Sequence, residues 1–479
     1  MRWAIRLLAA VLLAAVLLAS GGAFSAVHRL PDLLPWHQLQ TTLEPTAAEI
    51  TATFTLDDYL RREDAVFREV RERIEGPAST GADASMLNRY VAASRSHPMR
   101  LGTDWNRTQV LDTSQPLGGA LLVHGLTDSP NSMRSIAARL HDRGFYTVSL
   151  RMQGHGTVPG GLVRPSWEDW SAAVAMGVRA VRQRIGNSAP LVLVGYSNGG
   201  ALAAKYALDA IEDPSRPMPD RVILISPMIG VSPLARLARG ISALGPVVPK
   251  ARWPDVFPEY NPYKYVSFPA NAGTQTSRLT RALFAQLTRL AESARLDRMP
   301  RVLAFQSAVD TTVSTPAVAY DFFDRLGEGR GHQLVLFDLN RQARVDAFTR
   351  PGVLLPRIEA AARRGYDVTL ITNTDADTAE VSAISRAAGT DAMVSQPIGL
   401  SWPAEMFSLS HIALPFPEDD PLYGARGDGA ERGGLSLGRL TPRGEKDVLI
   451  VPIDALMRVS WNPFFPYLLD QIDRAVAGR

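Results

Sequence analysis

Cysteine is absent from the 479 residues. Disulfides, thiol nucleophiles, zinc–thiolate sites, iron–sulfur clusters and a lipoprotein anchor are thereby excluded. Lysine is nearly absent too. Lys205, Lys250, Lys264 and Lys446 are the whole set, so arginine supplies the rest of the 51 basic residues. Against 48 acidic residues the formal net charge is only +3, spread along the chain. A nucleic-acid partner wants basic residues clustered on one face, and the sequence holds no such run. It also lacks internal repeats, low-complexity tracts and a His-Glu-x-x-His zinc motif. What is present is globular: 46% hydrophobic and 21% charged residues. The length fits about three domains, or one large α/β domain with insertions.

Arg2 and Arg6 precede an uncharged stretch of 21 residues, Leu7 to Val27, whose first 13 are only Leu, Ala or Val. At 1.5 Å per residue such a stretch reaches the ~30 Å of a bilayer core. Residues 1–29 therefore read as an uncleaved membrane anchor. The alternative is a signal peptide cut near Gly21-Gly22-Ala23, which lacks a clean Ala-x-Ala site. Either way the positive end stays cytoplasmic and the remainder is exported, to the periplasmic or extracellular side.

Residues 30–110 form an extension. Pro31 and Pro35 suggest a linker. Leu56, Tyr59, Leu60, Val66, Phe67 and Val70 then predict an amphipathic helix over 55–74, with Thr55 and Asp58 as a capping box. From 117 onward short apolar runs alternate with helical stretches: 117–125 (ending in a Gly turn), 145–150, 190–194, 221–225, 301–305, 333–339 and 366–372. Helices are expected over 132–143, over 166–185 with Ser166 as N-cap, and from the glycine motif below to 211. This alternation predicts an α/β fold, a mostly parallel sheet with helices on both faces. The domain would span 111–479, with a cap inserted at about 228–300 and a further insertion at about 341–409.

Gly-x-Ser-x-Gly occurs twice. Gly195-Tyr196-Ser197-Asn198-Gly199 follows the apolar run PLVLV and opens an Ala-rich helix. A nucleophile elbow needs that context: the sharp strand-to-helix turn strains the Ser backbone, and flanking glycines remove clashing side chains. Gly434-Leu435-Ser436-Leu437-Gly438 follows no strand and sits in a Gly- and Arg-rich loop, 424–439, so Ser197 is the candidate nucleophile. Upstream, ALLV runs into His124-Gly125-Leu126. A tight turn there would set a backbone N–H opposite the elbow, so that the Leu126 and Asn198 amides form an oxyanion hole. His124 is read as pinning the turn and not as moving protons.

In this architecture the order along the chain is Ser, acid, His. Asp310 follows the strand RVLAF, at the carboxyl edge where functional groups of parallel sheets collect. His332 and His411 are the histidines after Ser197. His332 precedes a strand and is expected at the surface. His411 lies late, in SLSHI, where the base belongs. Asp338 in LVLFDLN faintly resembles a phosphatase nucleophile but lacks the second carboxylate, so the segment reads as sheet. Asn373, Asp375 and Asp377 fail as a calcium loop, lacking the later Gly and Glu. In the cap, Trp253, Phe257, Tyr260, Tyr263, Tyr265 and Phe268 place six aromatics within 16 positions. They are either an apolar wall for substrate, with Trp253, Phe257, Tyr260 and Tyr263 as pocket candidates, or packing of the cap onto the body.

Together LLVHGLTDSP (121–130), QGHGT (153–157), GYSNGG (195–200), SAVDTTV (307–313) and SHIALPF (410–416) resemble the α/β-hydrolase family. Within it they are most similar to the monoglyceride lipase, carboxylesterase and serine aminopeptidase branch. The resemblance spans about 117–340 plus the His segment and implies Ser197, Asp310 and His411 as a triad. Three features depart from the family's pattern: about 70 residues before the His, the extension 30–110, and a long tail 420–479. The expected activity is hydrolysis of carboxylic esters with apolar acyl groups, with no cofactor or metal. An aminopeptidase would need carboxylates to catch the free amine, and near the aromatic cluster only Asp255 and Glu259 are available. The alternatives are a peptidase or amidase on the same residues, or a non-catalytic protein binding an apolar ligand.

Overall fold

A computed structural model describes residue 3 and residues 32–78, 87–230, 249–328, 330–344, 364–425, 435–437 and 459–478. Residues 7–27, Pro31 and most of 424–439 lie outside the described residues.

Among the described residues the centre is a ten-stranded sheet: β1 (Gln109–Leu111), β2 (Gly118–Val123), β3 (Phe145–Leu150), β4 (Leu191–Tyr196), β5 (Arg221–Ile225), β6 (Arg301–Ser307), β7 (Gln333–Phe337), β8 (Asp367–Asn373), β9 (Glu380–Arg386) and β10 (Met393–Ser401). The spatial order is β1-β3-β2-β4-β5-β6-β7-β8-β9-β10. Strands β3 to β8 in that row run parallel. β1, β9 and β10 are antiparallel to their neighbours. Among the described residues the longer α-helices are α1 (Leu56–Val70), α2 (Arg134–Asp142), α3 (Trp167–Ile185), α4 (Asn198–Glu212), α5 (Ala270–Glu292) and α6 (Phe465–Ala477). This is the α/β-hydrolase fold.

Alternation along each strand feeds two apolar layers. Leu121, Val123, Leu191 and Leu193 face the layer with α3, α4 and α5. Ala120, Leu122, Val192 and Val194 face the layer with α2 and α6. The central strands are buried on both faces, which is why they read as continuous apolar runs. Helix starts are set locally. The Thr55 hydroxyl accepts from Asp58 N–H (3.1 Å), while the Asp58 carboxylate accepts from Thr55 N–H (2.9 Å). Ser166 and Asp169 cap α3 in the same reciprocal way.

Two local expectations are corrected. The segment at Pro35 is not a linker. Pro35–Gln38 is a helical turn with Trp36 and His37 buried. The His37 ring reaches Ser267 Oγ at 3.0 Å and meets the edge of Trp253, so burial of these rings fixes the chain. His332 is not at the surface but fully buried. Its Nδ1 accepts from Val302 N–H at 3.1 Å, filling a β6 donor at the sheet's end. Burial lowers its pKa to about 4, so the ring is neutral.

The extension is fastened through a buried cation. The Arg151 guanidinium, with no exposed surface, lies between Glu44 (2.9 Å to each oxygen) and Glu63 (3.1 Å). The Tyr59 hydroxyl donates to the Arg151 carbonyl at 2.7 Å. A charge this deep persists only with its partners, so the extension is part of the packed body. The described part of 341–409 adds β8, β9 and β10 to the same sheet.

Candidate active site

β4 ends at Tyr196 and α4 begins at Asn198, so Ser197 occupies the turn with φ 54° and ψ −117°. That left-handed conformation is costly for a residue with a Cβ and is held by its surroundings. Ser197 N–H donates to Ile225 O (2.9 Å), and its carbonyl accepts from Gly200 (2.9 Å) and Met228 (2.8 Å). The neighbouring glycines are required sterically. A Cβ on Gly195 would stand 2.3 Å from Gly199 O, and one on Gly199 2.1 Å from Val123 O.

The turn after β2 faces this elbow. A Cβ on Gly125 would come 3.2 Å from Ser197 Cβ. Leu126 follows Gly125 and packs against the core. Thr127, at φ 62°, passes its carbonyl to Tyr265 N–H (2.8 Å), which ties this loop to the cap. His124 is buried. Its Nε2 accepts from Met152 N–H (3.1 Å), which leaves Nδ1–H to donate to Gly125 O (2.8 Å). Burial lowers its pKa to about 4. Both ring nitrogens are therefore occupied in holding the turn.

Three side chains from distant parts of the chain form one hydrogen-bonded row. Ser197 Oγ lies 2.9 Å from His411 Nε2, and His411 Nδ1 lies 2.8 Å from Asp310 Oδ2. Asp310 Oδ1 accepts from the N–H groups of Thr312 (2.8 Å) and Val313 (2.9 Å), and Oδ2 also accepts from Gln306 Nε2 (3.0 Å). Burial pushes the Asp310 carboxyl up, but the attraction of His411 and these hydrogen bonds outweigh it and hold it below the usual range. An ionised carboxylate can only accept, so Nδ1 carries the ring proton and Nε2 faces the Ser197 hydroxyl as acceptor.

The pocket candidates fall into two pairs. Trp253 is buried against His37, and Tyr263 is buried with Phe416, Leu422 and Tyr423, its hydroxyl donating to Pro98 O (2.7 Å). Phe257 and Tyr260 are half-buried. Of the two carboxylates near them, Glu259 accepts from the N–H groups of Val266 (3.1 Å) and Ser267 (2.8 Å) and is buried. Asp255 is exposed. The second Gly-x-Ser-x-Gly is described only at 435–437, where Leu437 N–H donates to Leu422 O (2.8 Å).

Sequence reasoning missed Tyr196, whose ring lies over His411 with centroids 5.5 Å apart and whose hydroxyl donates to the His411 carbonyl (3.3 Å). Its place as the variable residue of the elbow carried no signal. Asp128 was missed as well. It is buried, with Oδ1 accepting from Ser129 N–H (2.9 Å). Burial raises its pKa to about 6, against the pull of Lys264. An unfolded carboxyl ionises near pH 4, so the folded state is favoured below that and loses the advantage as pH rises through about 6. Asp128→Asn keeps the acceptor for Ser129 and removes the buried charge. Its melting temperature is expected above the parent's at pH 8, by the equivalent of about 1–3 kcal/mol, and equal to it at pH 4. A variant that melts lower at pH 8 contradicts this account.

Residues 114–338 match the family described as Serine aminopeptidase, S33. The thermostable monoacylglycerol lipase of Bacillus sp. (strain H-257) is 36% identical over 89 residues, which is 19% of this chain and 34% of that lipase. The match thus spans about a third of that relative's length. Among solved structures, the monoacylglycerol lipase of Paleococcus ferrophilus is 18% identical with a TM-score of 0.36, over 48% of this chain and 88% of that one. A monoglyceride lipase variant from Saccharomyces cerevisiae is 15% identical with a TM-score of 0.38, over 48% and 81%. Over residues 114–338 the chain is thus similar to the serine aminopeptidase S33 family of α/β-hydrolases, and over 89 residues to a monoacylglycerol lipase.

Proposed function

We propose that this protein is a serine hydrolase that cleaves carboxylic esters with apolar acyl groups through an acyl-enzyme. The observation that carries the reading is the row Ser197–His411–Asp310, at 2.9 and 2.8 Å, on a strained elbow opposite the Gly125 turn. His411 Nε2 takes the Ser197 proton as Oγ bonds to the ester carbon. Asp310 orients the ring and stabilises the imidazolium. The N–H groups of Leu126 and Asn198 hold the oxyanion. The C–O bond then breaks and the alcohol leaves with the proton from His411. Water, deprotonated by His411, attacks the acyl carbon, the acyl carbon–Oγ bond breaks to release the carboxylic acid, and His411 returns the proton to Ser197.

The name of the Bacillus relative speaks for a lipid ester. Against an aminopeptidase stands Glu259, whose carboxylate is occupied by two backbone N–H groups and is not free to catch an amine. Nitrophenyl esters of rising acyl length, run beside aminoacyl anilides, decide the class. The medium and long esters are expected to give the higher kcat/KM, and faster anilide turnover would sink the ester reading. Labelling by a fluorophosphonate probe separates any hydrolase from an apolar-ligand carrier.

We further propose that the apolar stretch 7–27 tethers the protein to the membrane, with the catalytic domain exported. Among the described residues no helix is long and apolar enough to cross a membrane, and 7–27 lie outside them. The full chain is expected in the carbonate-washed membrane fraction and a chain lacking residues 1–29 in the supernatant. A mature N-terminus near residue 24 would show a cleaved signal instead.

A further inference from the structure

The loop bearing His411 is not the direct continuation of β7. Between Phe337 and His411 the chain builds β8, β9 and β10 and then returns to the carboxyl edge of the sheet. A base delivered after such a detour needs fixing by something other than chain connectivity. The returning loop is held at four main-chain carbonyls. Asn340, just past β7, holds two of them: its side-chain Nδ2 donates to Met406 O (2.8 Å) and its backbone N–H to Phe407 O (2.8 Å). Ser307 Oγ, at the end of β6, donates to Leu409 O (2.8 Å), and Tyr196 holds His411 O.

Asn340 is itself buried and oriented. Its Oδ1 accepts from Asn373 Nδ2 (3.2 Å), at the end of β8. The Asn373 Oδ1 accepts from Arg341 N–H (2.6 Å), and the Arg341 guanidinium grips both oxygens of Asp338 (2.9 and 3.1 Å). The Asp338 carboxylate also accepts from Thr372 Oγ1 (2.7 Å). This ties the end of β7 to the end of β8 and leaves the Asn340 amide a single orientation, with its donor aimed at the returning loop.

We infer that Asn340 is a positioning residue for His411: its two hydrogen bonds to Met406 and Phe407 dock the returning loop so that the imidazole meets both Ser197 and Asp310. The inference rests on the reading of His411 as the base. Both contacts are to main-chain atoms, so the loop side chains can vary while its path stays fixed. A displacement of about 1 Å at a reacting group costs on the order of 10²-fold in rate.

The test uses the full chain with Asn340→Asp, which keeps the shape but replaces the donor by an acceptor facing a carbonyl, and Asn340→Ser, which shortens the side chain. Each is made alone and in a His411→Ala background, and ester turnover and fluorophosphonate labelling are measured together. The expected result is a fall in kcat and labelling rate on the order of 10²-fold, with KM within about twofold. In the His411→Ala background the same substitutions are expected to change the residual rate by less than about twofold, because the two residues act as one unit. Wild-type kcat in either folded variant overturns the inference. So does an equal loss with and without His411. Loss of folding in both variants assigns Asn340 to stability alone and overturns it too. A His411→Ala protein with wild-type turnover removes the base assignment, and this inference falls with it.

Discussion

Ser197→Ala is expected to lower kcat by on the order of 10⁴–10⁶-fold, while Ser436→Ala leaves it unchanged. Both serines sit in Gly-x-Ser-x-Gly, so the motif makes no distinction between them. The difference is structural. Ser197 stands at φ 54° between a buried strand and a helix, with its hydroxyl 2.9 Å from an imidazole nitrogen. The β-carbon of alanine fits the same turn, so the variant keeps its fold and its affinity for substrate while losing the atom that would carry the acyl group. Fluorophosphonate labelling is expected to vanish with turnover. Loss of comparable size in the Ser436 variant, or labelling that persists in the Ser197→Ala protein, would refute the assignment of the nucleophile.

His411→Ala is expected to remove nearly all turnover, on the order of 10⁴-fold or more, and the acid limb of the pH–rate profile with it. A protonated imidazole cannot accept the Ser197 proton, so the parent's rate falls as pH drops. Asp310 stays ionised through that fall, because its own pKa is held below the usual carboxylate range. His332→Ala provides the contrast. Its ring is buried away from this row and fills the Val302 N–H donor, so the variant loses about 1–3 kcal/mol of stability through an unsatisfied donor. Its kcat and acid limb, measured well below its melting temperature, are expected to match the parent's. If His332→Ala were the inactive one in a folded state, the base would be misassigned.

The alternation of apolar runs and helical stretches was sufficient to place seven strands in the sequence, because the central parallel strands are buried on both faces and read as short, mostly apolar runs. Capping residues fixed helix starts to within a residue or two: Thr55 and Ser166 act through contacts three positions away, within the reach of local sequence. The chain order Ser, acid, His selected three residues that the fold brings into one row. Strands β1, β9 and β10 were not legible. β10 is an edge strand with Pro397 and Gly399 within it and a register shift at 397/400, so its composition is that of a loop.

The sequence by itself determined the elbow, because a strained turn between strand and helix needs glycines at fixed offsets, and those offsets are local. It likewise determined the alternation of layers and the absence of any thiol chemistry. Tertiary structure alone decided what holds those parts together. Arg151 is a single basic residue in the sequence, yet Glu44 and Glu63, more than 80 positions upstream, make it the buried tie of the extension. Asp128 looks like any loop aspartate until burial shifts its titration. Asn340 has no motif of its own, and its role depends on Met406 and Phe407 returning to it after three further strands. Hydrogen bonds and desolvation act through space at distances of a few ångströms. A pattern along the chain can register them only where the partners are also neighbours in sequence.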